Sequence, residues 1–312
     1  MSTPQVTYRG RFAPSPTGPL HFGSLVAALG SYLRARSSGG HWYVRIEDID
    51  PPREVPGAAS DILNTLAAFG LEWDGEVTYQ SRRTDRYAAA LETLIAQGAA
   101  YPCSCTRNEI RAYNRARIGS ASTVYPGLCR DRPLRSDRRP AFRLRVPDSR
   151  LEVQDLEVGV YAMNLAQQCG DFALKRRDGL FAYQLAVVVD DAAQGITEVV
   201  RGQDLLESTP GQIFLQRTLG FPNPAYMHLP VVTNGEGQKL SKQTGAQALS
   251  LDSAAHTLCE ALAFLGLTPP NEMRHAAAKD VVAWGITHWA SRRSPATAHP
   301  GQAKMQGFSQ DQ

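Results

Sequence analysis

Two segments far apart in the chain carry residue types that bind phosphate. Residues 9–24 read RGRFAPSPTGPLHFGS, which predicts a strand, a loop rich in proline and glycine, and the start of a helix. A helix N-terminus attracts phosphate through unpaired N–H groups and a partial positive charge. His21 could donate to a phosphate oxygen, and Gly23 would allow the backbone to approach closely. Residues 239–242 read KLSK and could close on the same phosphates.

A second group of residues could bind a metal ion. Cys103 and Cys105 are separated by one residue, and Tyr125 and Cys129 follow. Three thiolates and a phenol suit zinc, which prefers four ligands that include sulfur. A phenol has a pKa of about 10 and must lose its proton to the metal, so water is an alternative fourth ligand. Three reduced cysteines without a special role are the other alternative.

The composition is that of a globular, weakly basic protein. The 312 residues are 43% hydrophobic, with a net charge of +3 and a pI of about 8.6, and they are enough for two or three domains. No apolar run reaches the length of a membrane span, and the N-terminus lacks the features of a signal peptide. The sequence therefore predicts a cytoplasmic protein with reduced cysteines and no membrane partner.

An arginine-rich stretch fits two interpretations about equally well. It is either a solvated loop or a patch that contacts the phosphates of a nucleic acid. Its members are Arg130, Arg132, Arg135, Arg138, Arg139, Arg143 and Arg145.

Elements that alternate along the first hundred residues must position the phosphate-binding segment. Strand and helix patterns alternate, which predicts an α/β fold with a parallel sheet covered on both faces. Ligands of such sheets bind at the carboxyl ends of the strands, where the acidic residues 47–50 would also lie. The predicted strands are Val6–Phe12 and Trp42–Ile46, and the predicted helices are Leu20–Arg36, Ala58–Phe69 and Arg83–Gln97.

The periodicity weakens between residues 100 and 150, which predicts an insertion rather than a continuation of the sheet. Further on, an apolar run predicts a strand or a helix. Asp190 and Asp191 fit a solvated loop or a helix cap as well as a metal site. The composition of the last twenty residues predicts disorder. The run is Phe181–Val189, two further helices are expected at Gly202–Leu219 and Ala254–Leu265, and Pro222–Pro230 is expected to be a connector.

Several of these motifs, taken in order, resemble the glutamyl and glutaminyl class I aminoacyl-tRNA synthetases. Residues 11–23 are similar to the signature of that family, with His21-Phe22-Gly23-Ser24 at its "HIGH" sequence. Residues 239–243 stand at "KMSKS", and residues 45–50 (RIEDID) match a third stretch. The departures are a serine for the second histidine of "HIGH", and a leucine and a glutamine within "KMSKS".

The resemblance implies a Rossmann-like catalytic domain with a zinc-bearing insertion and a short helical C-terminal part. The two halves of the catalytic domain are expected at residues 1–100 and 171–238, with the insertion between them at 101–170. The KMSKS-like loop and a short helical part follow at 239–292, and the tail at 293–312.

The same resemblance implies the activation of L-glutamate by ATP with Mg²⁺, in which the α-carboxylate attacks the α-phosphate. No protein nucleophile is needed, since positioning and charge stabilisation suffice. His21 and Lys242 would stabilise the developing charge. ATP would bind to His21, Gly23, Lys239 and Lys242, and glutamate would bind to Arg11, Phe12, Ala13, Pro14, Ser15, Glu47, Tyr183 and Arg201.

Within the family, the cysteine spacing and the short segment after Gln243 resemble a shorter paralogue of glutamyl-tRNA synthetase. That paralogue activates glutamate without tRNA and attaches it to the queuosine base in the anticodon of tRNA(Asp). The resemblance implies one structural zinc ion on Cys103, Cys105, Tyr125 and Cys129, and a monomer is expected. The alternatives are a short conventional glutamyl-tRNA synthetase that acts on the tRNA 3′ end, and a non-catalytic RNA-binding paralogue.

Overall fold

A computed structural model describes residues 7–120, 122–233 and 247–293. Strands and helices alternate in it as in an α/β protein. The strands are β1 (Arg9–Phe12), β2 (His41–Ile46), β3 (Thr78–Tyr79), β4 (Ala100–Cys103), β5 (Ala141–Leu144), β6 (Arg150–Asp155), β7 (Gly159–Asn164), β8 (Ala173–Lys175), β9 (Glu198–Gly202) and β10 (Ala225–Leu229). The helices are α1 (Phe22–Ser37), α2 (Ala58–Ala68), α3 (Thr84–Ala96), α4 (Arg107–Ile118), α5 (Tyr183–Ala193), α6 (Thr209–Thr218), α7 (Ala254–Phe264) and α8 (Ala278–His288).

The central sheet is parallel, as predicted. Strand β2 lies between β1 and β3, and β10 lies between β9 and β6, all in parallel pairs, while β7 extends the edge in antiparallel fashion. The N–H of Thr197, just before β9, donates to the carbonyl oxygen of Arg9 over 2.9 Å, so the two sets of strands adjoin. The carboxyl ends of β1, β2, β9 and β10 therefore share one edge, where ligands of such sheets bind.

Helix α1 is held against this sheet by a fully buried apolar stripe. Leu25, Leu29 and Leu33 recur every four residues and are inaccessible to solvent, as expected for one face of a helix. Gly30 allows the helix to come close to β10, since a Cβ there would lie 2.4 Å from Cδ1 of Leu229. This packing places the N-terminus of α1 directly after the loop that leaves β1.

Two elements after residue 170 settle the ambiguous parts of the sequence. The apolar run at 181–189 is the helix α5, and Gly202–Leu219 contains a 3₁₀ segment, Gln203–Ser208, before α6. The prediction that Pro222–Pro230 is a connector was wrong, because it contains the buried strand β10. Its five residues are flanked by prolines, and a buried histidine interrupts their apolar character, so the pattern of a strand is hidden.

Residues 100–175 form a separate three-stranded antiparallel sheet, in the order β4–β5–β8, with α4 beside it. The predicted insertion is thus confirmed as a structure outside the parallel sheet. The hairpin β6–β7 lies within the same stretch but pairs with β10. The domain boundaries given above stay predictions.

The C-terminal helices pack on α1. Phe264 of α7 meets Phe22 edge to face at 6.5 Å between ring centroids, and Gly285 of α8 lies against Leu33. The KMSKS-like residues Lys239 and Lys242 and the tail from residue 294 lie outside the described residues. Across the helices that the structure describes, none is both long enough and apolar enough to cross a membrane.

Candidate active site

Two adjoining clefts open at the carboxyl edge of the parallel sheet. One, of about 730 Å³, is lined by the start of α1 and by the ends of β1 and β10. The other, of about 690 Å³, is lined by the ends of β1 and β9, by the segment that follows β2 and by the start of α5. Phe12, Ser15 and Gly202 line both clefts, so one ligand could extend from one cleft into the other.

Arg201 and Tyr183 form one wall of the second cleft. Nη1 of Arg201 donates to the hydroxyl of Tyr183 over 3.3 Å, and the guanidinium is buried. Burial raises the pKa of Tyr183, so the phenol stays protonated. Further hydrogen bonds join this buried guanidinium to His228 and Thr209 behind the cleft.

Arg11 and Glu47 also line the second cleft and belong to a buried network. Arg11 donates from Nε and Nη2 to both oxygens of Asp191, over 3.0 and 3.2 Å. Arg45 donates to Asp191 over 2.7 Å and to Glu47 over 3.3 Å. The network fixes the guanidinium of Arg11 and holds the carboxylate of Glu47 at the cleft.

The charge state of Glu47 reflects two opposed effects. Burial raises its pKa and the cations Arg45 and Arg11 lower it, with a net increase over the usual value of a glutamic acid. Its side chain is 8% exposed. A bound ammonium group would favour the ionised form further, so this carboxylate suits an amino group at the cleft.

Asp190 and Asp191 lie on α5 and are buried, so the interpretation of a solvated loop was wrong. Asp190 accepts hydrogen bonds from Tyr87 over 2.7 Å, from Gln80 over 2.8 Å and from Arg83 over 2.5 Å. These carboxylates hold α5 against β2 and α3 rather than offering oxygens to a metal ion.

The loop after β1 is fixed by backbone contacts. The N–H of Glu47 donates to the carbonyl oxygen of Pro14 over 2.9 Å, which ties the loop to the end of β2. Phe12, Ala13 and Ser15 line the second cleft, and Pro14 lines the first. The predicted loop residues therefore gather at the junction of the two clefts.

His21 is the N-cap of α1 and lines the first cleft together with Gly23. Ser24 Oγ accepts from the N–H of His21 over 2.8 Å, and His21 Nδ1 accepts from the N–H of Ser24 over 3.4 Å. This is a capping box, with histidine in the usual place of serine or threonine. Because Nδ1 accepts, a neutral ring carries its hydrogen on Nε2, which suits donation to a phosphate oxygen.

The predicted metal ligands converge in the inserted sheet. The sulfur atoms of Cys103, Cys105 and Cys129 lie within 4.8 Å of one another. The phenol oxygen of Tyr125 lies 3.6 Å from Sγ of Cys105 and accepts from the N–H of Cys129 over 2.8 Å. Gly170, with a φ of 65°, lets the chain pass so close to Tyr125 that a Cβ would lie 2.7 Å from its nitrogen. A metal could be held by this donor set.

The thiols of this cluster differ in acidity. Burial would raise the pKa of Cys129, but hydrogen bonds from Tyr125 and the backbone of Ser104 outweigh it and lower that pKa to about 7. Burial raises the pKa of Cys105 to about 12. A divalent cation would stabilise all three thiolates at once.

The arginines at 130–145 have local partners in many cases. Arg130 donates to both carboxylate oxygens of Asp171, and Arg143 stacks over the ring of Tyr125 at 4.0 Å. Exposed ion pairs join Arg135 and Arg138 to acidic neighbours. At these positions the stretch stabilises the insertion, which the sequence pattern alone did not indicate.

Residues that the sequence did not assign to this site complete it. His228 and Asp155 lie behind Arg201, and Asp191 lies behind Arg11. The partners in these contacts are 27 to 180 residues apart in the chain, so a short sequence motif cannot reveal them. The only signal available was the presence of ionisable residues within apolar segments.

Comparison with known proteins agrees with this geometry. Residues 7–289 match the family described as tRNA synthetases class I (E and Q), catalytic domain. The chain therefore belongs to this family, and it is a ligase of the aminoacyl-tRNA synthetase type.

Two similar relatives carry a more particular name. The glutamyl-Q tRNA(Asp) synthetase of Chromobacterium violaceum is 56% identical over 93% of this chain and 96% of its own length. That of Geobacter sulfurreducens is 52% identical over 97% of this chain and 98% of its own. Among solved structures, a glutamate tRNA ligase from Elizabethkingia meningosepticum in complex with its amino acid is 28% identical, with a TM-score of 0.75. The match covers 88% of this chain and 64% of that one.

Proposed function

We propose that the chain activates L-glutamate with ATP in the absence of tRNA and transfers the glutamyl group to the queuosine base in the anticodon of tRNA(Asp). The observation that carries this proposal is the pair of adjoining clefts, one suited to glutamate and one to a nucleotide, in a chain whose relatives are named for this activity.

The charges of the second cleft support glutamate as the amino acid. A free glutamate has two carboxylates and one ammonium group. Arg11 and Arg201 both line this cleft and can each bind a carboxylate, while Glu47 can pair with the ammonium group. The hydroxyls of Tyr183 and Ser15 offer directional hydrogen bonds beside them.

The first cleft supports ATP as the second substrate, entering with Mg²⁺. An oxygen of the glutamate α-carboxylate attacks the α-phosphorus, and the bond from that phosphorus to the bridging oxygen breaks to release pyrophosphate. His21 Nε2–H and the N-terminus of α1 stabilise the negative charge on the phosphate oxygens, together with Lys239 and Lys242 of the KMSKS-like segment.

The transfer step needs a nucleophile from the RNA. A hydroxyl of the queuosine base attacks the carbonyl carbon of the glutamyl-adenylate, AMP leaves, and an ester forms. The clefts are open to solvent at the sheet edge, where a splayed anticodon base could enter, since single-stranded loops are the parts of RNA that proteins read in this way.

We infer that Cys103, Cys105 and Cys129 bind one structural Zn²⁺, with Tyr125 or a water molecule as the fourth ligand. Bound zinc would supply cross-links between β4 and the loop at 125–129. The cluster lies outside the two clefts, so the residues of this chain carry out the chemistry without it.

The deciding experiment measures two steps on one protein. Glutamate-dependent ATP–pyrophosphate exchange without tRNA is expected, followed by transfer of labelled glutamate to tRNA(Asp) that contains queuosine and not to tRNA(Asp) that lacks it. Nuclease digestion then maps the label to the anticodon.

Each contrary outcome selects a different function. Label at the tRNA 3′ end would indicate a conventional glutamyl-tRNA synthetase. Absence of exchange would indicate a non-catalytic RNA-binding protein. Transfer only to tRNA(Asp) without queuosine would overturn the proposal for the acceptor while leaving glutamate activation intact.

A further inference from the structure

Behind the second cleft, which we propose binds glutamate, a buried chain of hydrogen bonds runs from β6 through β10 to β9. Nε of Arg201 donates to Nε2 of His228 over 3.1 Å. Nδ1 of His228 lies 2.6 Å from Oδ2 of Asp155, and both of these side chains are completely buried. Neither His228 nor Asp155 lines the clefts, so any effect on the substrate must pass through Arg201.

The donors and acceptors of this chain determine where each proton lies. Nε2 of His228 faces both Nε of Arg201 and Oγ1 of Thr209, each at 3.1 Å. The N–H of an arginine can only donate, so Nε2 must offer its lone pair. The Thr209 hydroxyl is then free to donate to the carbonyl oxygen of Leu205 over 3.2 Å. A neutral ring then carries its hydrogen on Nδ1 and donates it to Asp155. The other oxygen of Asp155 accepts from the N–H groups of Glu157 over 3.0 Å and Val158 over 2.9 Å, so this carboxylate is held in place.

The charge states agree with this arrangement. Burial lowers the pKa of His228, and the hydrogen bond to Asp155 does not fully offset it, so the ring is neutral at pH 7. Burial raises the pKa of Asp155, but the hydrogen bond with His228 and those from the backbone outweigh burial and keep it ionised.

Thr209 holds the same edge of the guanidinium, since its Oγ1 lies 3.1 Å from Nε2 of His228. Nη2 of Arg201 donates to Oγ1 of Thr209 over 2.8 Å, and Thr209 is fully buried. With Nε and Nη2 held from behind, Nη1 faces Tyr183 at the cleft. An arginine fixed in this way loses little rotational freedom when it binds a carboxylate.

We propose that His228 and Asp155 are positioning residues that orient Arg201 for a carboxylate of the substrate glutamate. This inference rests on the proposed function, because it assigns the bound carboxylate to glutamate. The inference adds that one tautomer of His228, with hydrogen on Nδ1, holds Arg201 in place. This support affects the binding of glutamate and not the binding of the nucleotide, because Arg201 lines the second cleft and not the first.

The wild-type protein allows a direct test of the tautomer. With ¹⁵N-labelled histidine, two-bond ¹H–¹⁵N correlation spectra distinguish hydrogen on Nδ1 from hydrogen on Nε2, and His228→Gln assigns the signal. Hydrogen on Nδ1 is expected. Hydrogen on Nε2, or a charged ring at pH 7, overturns the proposal whatever the enzyme activity is.

Two substitutions at His228 separate positioning from packing. In His228→Gln, the side-chain oxygen reaches the place of Nε2 and can still accept from Arg201. In His228→Asn, the shorter amide reaches Asp155 but not Arg201. We expect His228→Asn to raise the KM for glutamate in pyrophosphate exchange about tenfold, with His228→Gln closer to wild type and the KM for ATP unchanged in both.

Asp155→Asn probes the same chain from its other end. If the new amide group faces His228, it forces hydrogen onto Nε2, against the N–H of Arg201. If the amide group faces the backbone instead, its N–H groups point at the N–H groups of Glu157 and Val158, so that donors face donors and those hydrogen bonds are lost. Either way we expect a rise of about tenfold in the KM for glutamate. Asp171→Asn, which changes a buried carboxylate in the insertion, serves as the matched control for general destabilisation.

The outcomes are distinguishable from failure of the proposed function. A wild-type protein without glutamate-dependent exchange refutes the function, and the tautomer measurement still tests the geometry. Given exchange, an unchanged KM for glutamate in both His228→Asn and Asp155→Asn overturns the proposal. So does an equal loss of affinity for glutamate and ATP, or identical behaviour of the two His228 variants.

Discussion

At the start of α1, Ser24 and His21 exchange two hydrogen bonds, and Ser24 stands where the related family has a second histidine. The serine therefore supports the ring of His21, which we propose binds the phosphates of ATP. We expect Ser24→Ala to destabilise the helix by about 1 kcal/mol and to raise the KM for ATP more than the KM for glutamate. Pyrophosphate exchange with each substrate varied in turn measures both constants.

Ser37→Ala is the matched control, since Ser37 lies at the other end of the same helix and its hydroxyl donates to the carbonyl oxygen of Arg34. If both variants change the KM for ATP equally, the capping box does not orient His21.

Asp191 holds two arginines, and its charge is tied to the stability of the fold. Burial raises its pKa, but Arg11 and Arg45 outweigh burial and hold the pKa below its usual value. Such a carboxylate stabilises the protein above its unfolded pKa of about 3.9 and loses that contribution as the pH falls through the lower folded value. We expect Asp191→Asn to cost about 3 kcal/mol at pH 7 and to weaken the acid dependence of the melting temperature.

The control for this prediction is Asp131→Asn, because the side chain of Asp131 is 89% exposed. Melting temperatures from pH 3 to pH 8 compare the three proteins. If the melting temperatures of Asp191→Asn and wild type change with pH in the same way, the ion pairs of Asp191 with Arg11 and Arg45 do not make the stability of the fold depend on pH.

At the scale of elements, the cysteine cluster joins β4 to the loop at residues 125–129. We expect one zinc ion per chain by elemental analysis, and the double variant Cys103→Ser/Cys105→Ser to lose it. Structural zinc sites contribute directly to folding, so residues 100–130 should melt at a lower temperature. Transfer to tRNA should fall more than adenylate formation, because none of the four residues of the cluster lines either cleft.

Cys259→Ser is the matched control, as Cys259 is buried in α7 away from the cluster. Unchanged melting and full transfer activity in the double variant would contradict a structural role for zinc.

The elements differ in how far sequence alone could predict them. Strands β1 and β2 and helix α1 have regular apolar patterns, and each of their ends was predicted within about three residues. Strand β10 was missed because its five residues include the buried His228, whose polar ring atoms find partners on other elements, among them Asp155 and Arg201. A partner 73 residues away leaves no trace in a local window, so pattern reasoning cannot recover it.

The site shows the same division. The resemblance of the loop after β1 to a known signature pointed to Arg11, Ser15 and His21, and the structure brings them to the two adjoining clefts. The residues that hold the arginines from behind belong to other elements and have no motif. The types of these residues can be read from the sequence, but which of them pair across distant elements could not be predicted from it.

At the scale of the molecule, a buried ion pair ties the end of the described chain to the turn between β6 and β7. Nη1 of Arg292 donates to Glu157 over 3.2 Å, and the two side chains are 8% and 1% exposed. Removal of one partner of a buried pair leaves a charge without its counterion. We therefore expect Arg292→Ala to destabilise the whole protein by about 3 kcal/mol, seen as a lower melting temperature without a change in either KM.

The neighbouring Arg293 is exposed, and Arg293→Ala controls for the loss of a positive charge near the same end. Adding Glu157→Gln to Arg292→Ala should recover part of the stability, because a neutral amide costs less to bury than an uncompensated carboxylate. Equal melting temperatures for Arg292→Ala and Arg293→Ala would mean that the C-terminal helices are held by their apolar contacts with α1 alone. A recovery in the double variant would instead identify the buried charge of Glu157 as the source of the loss.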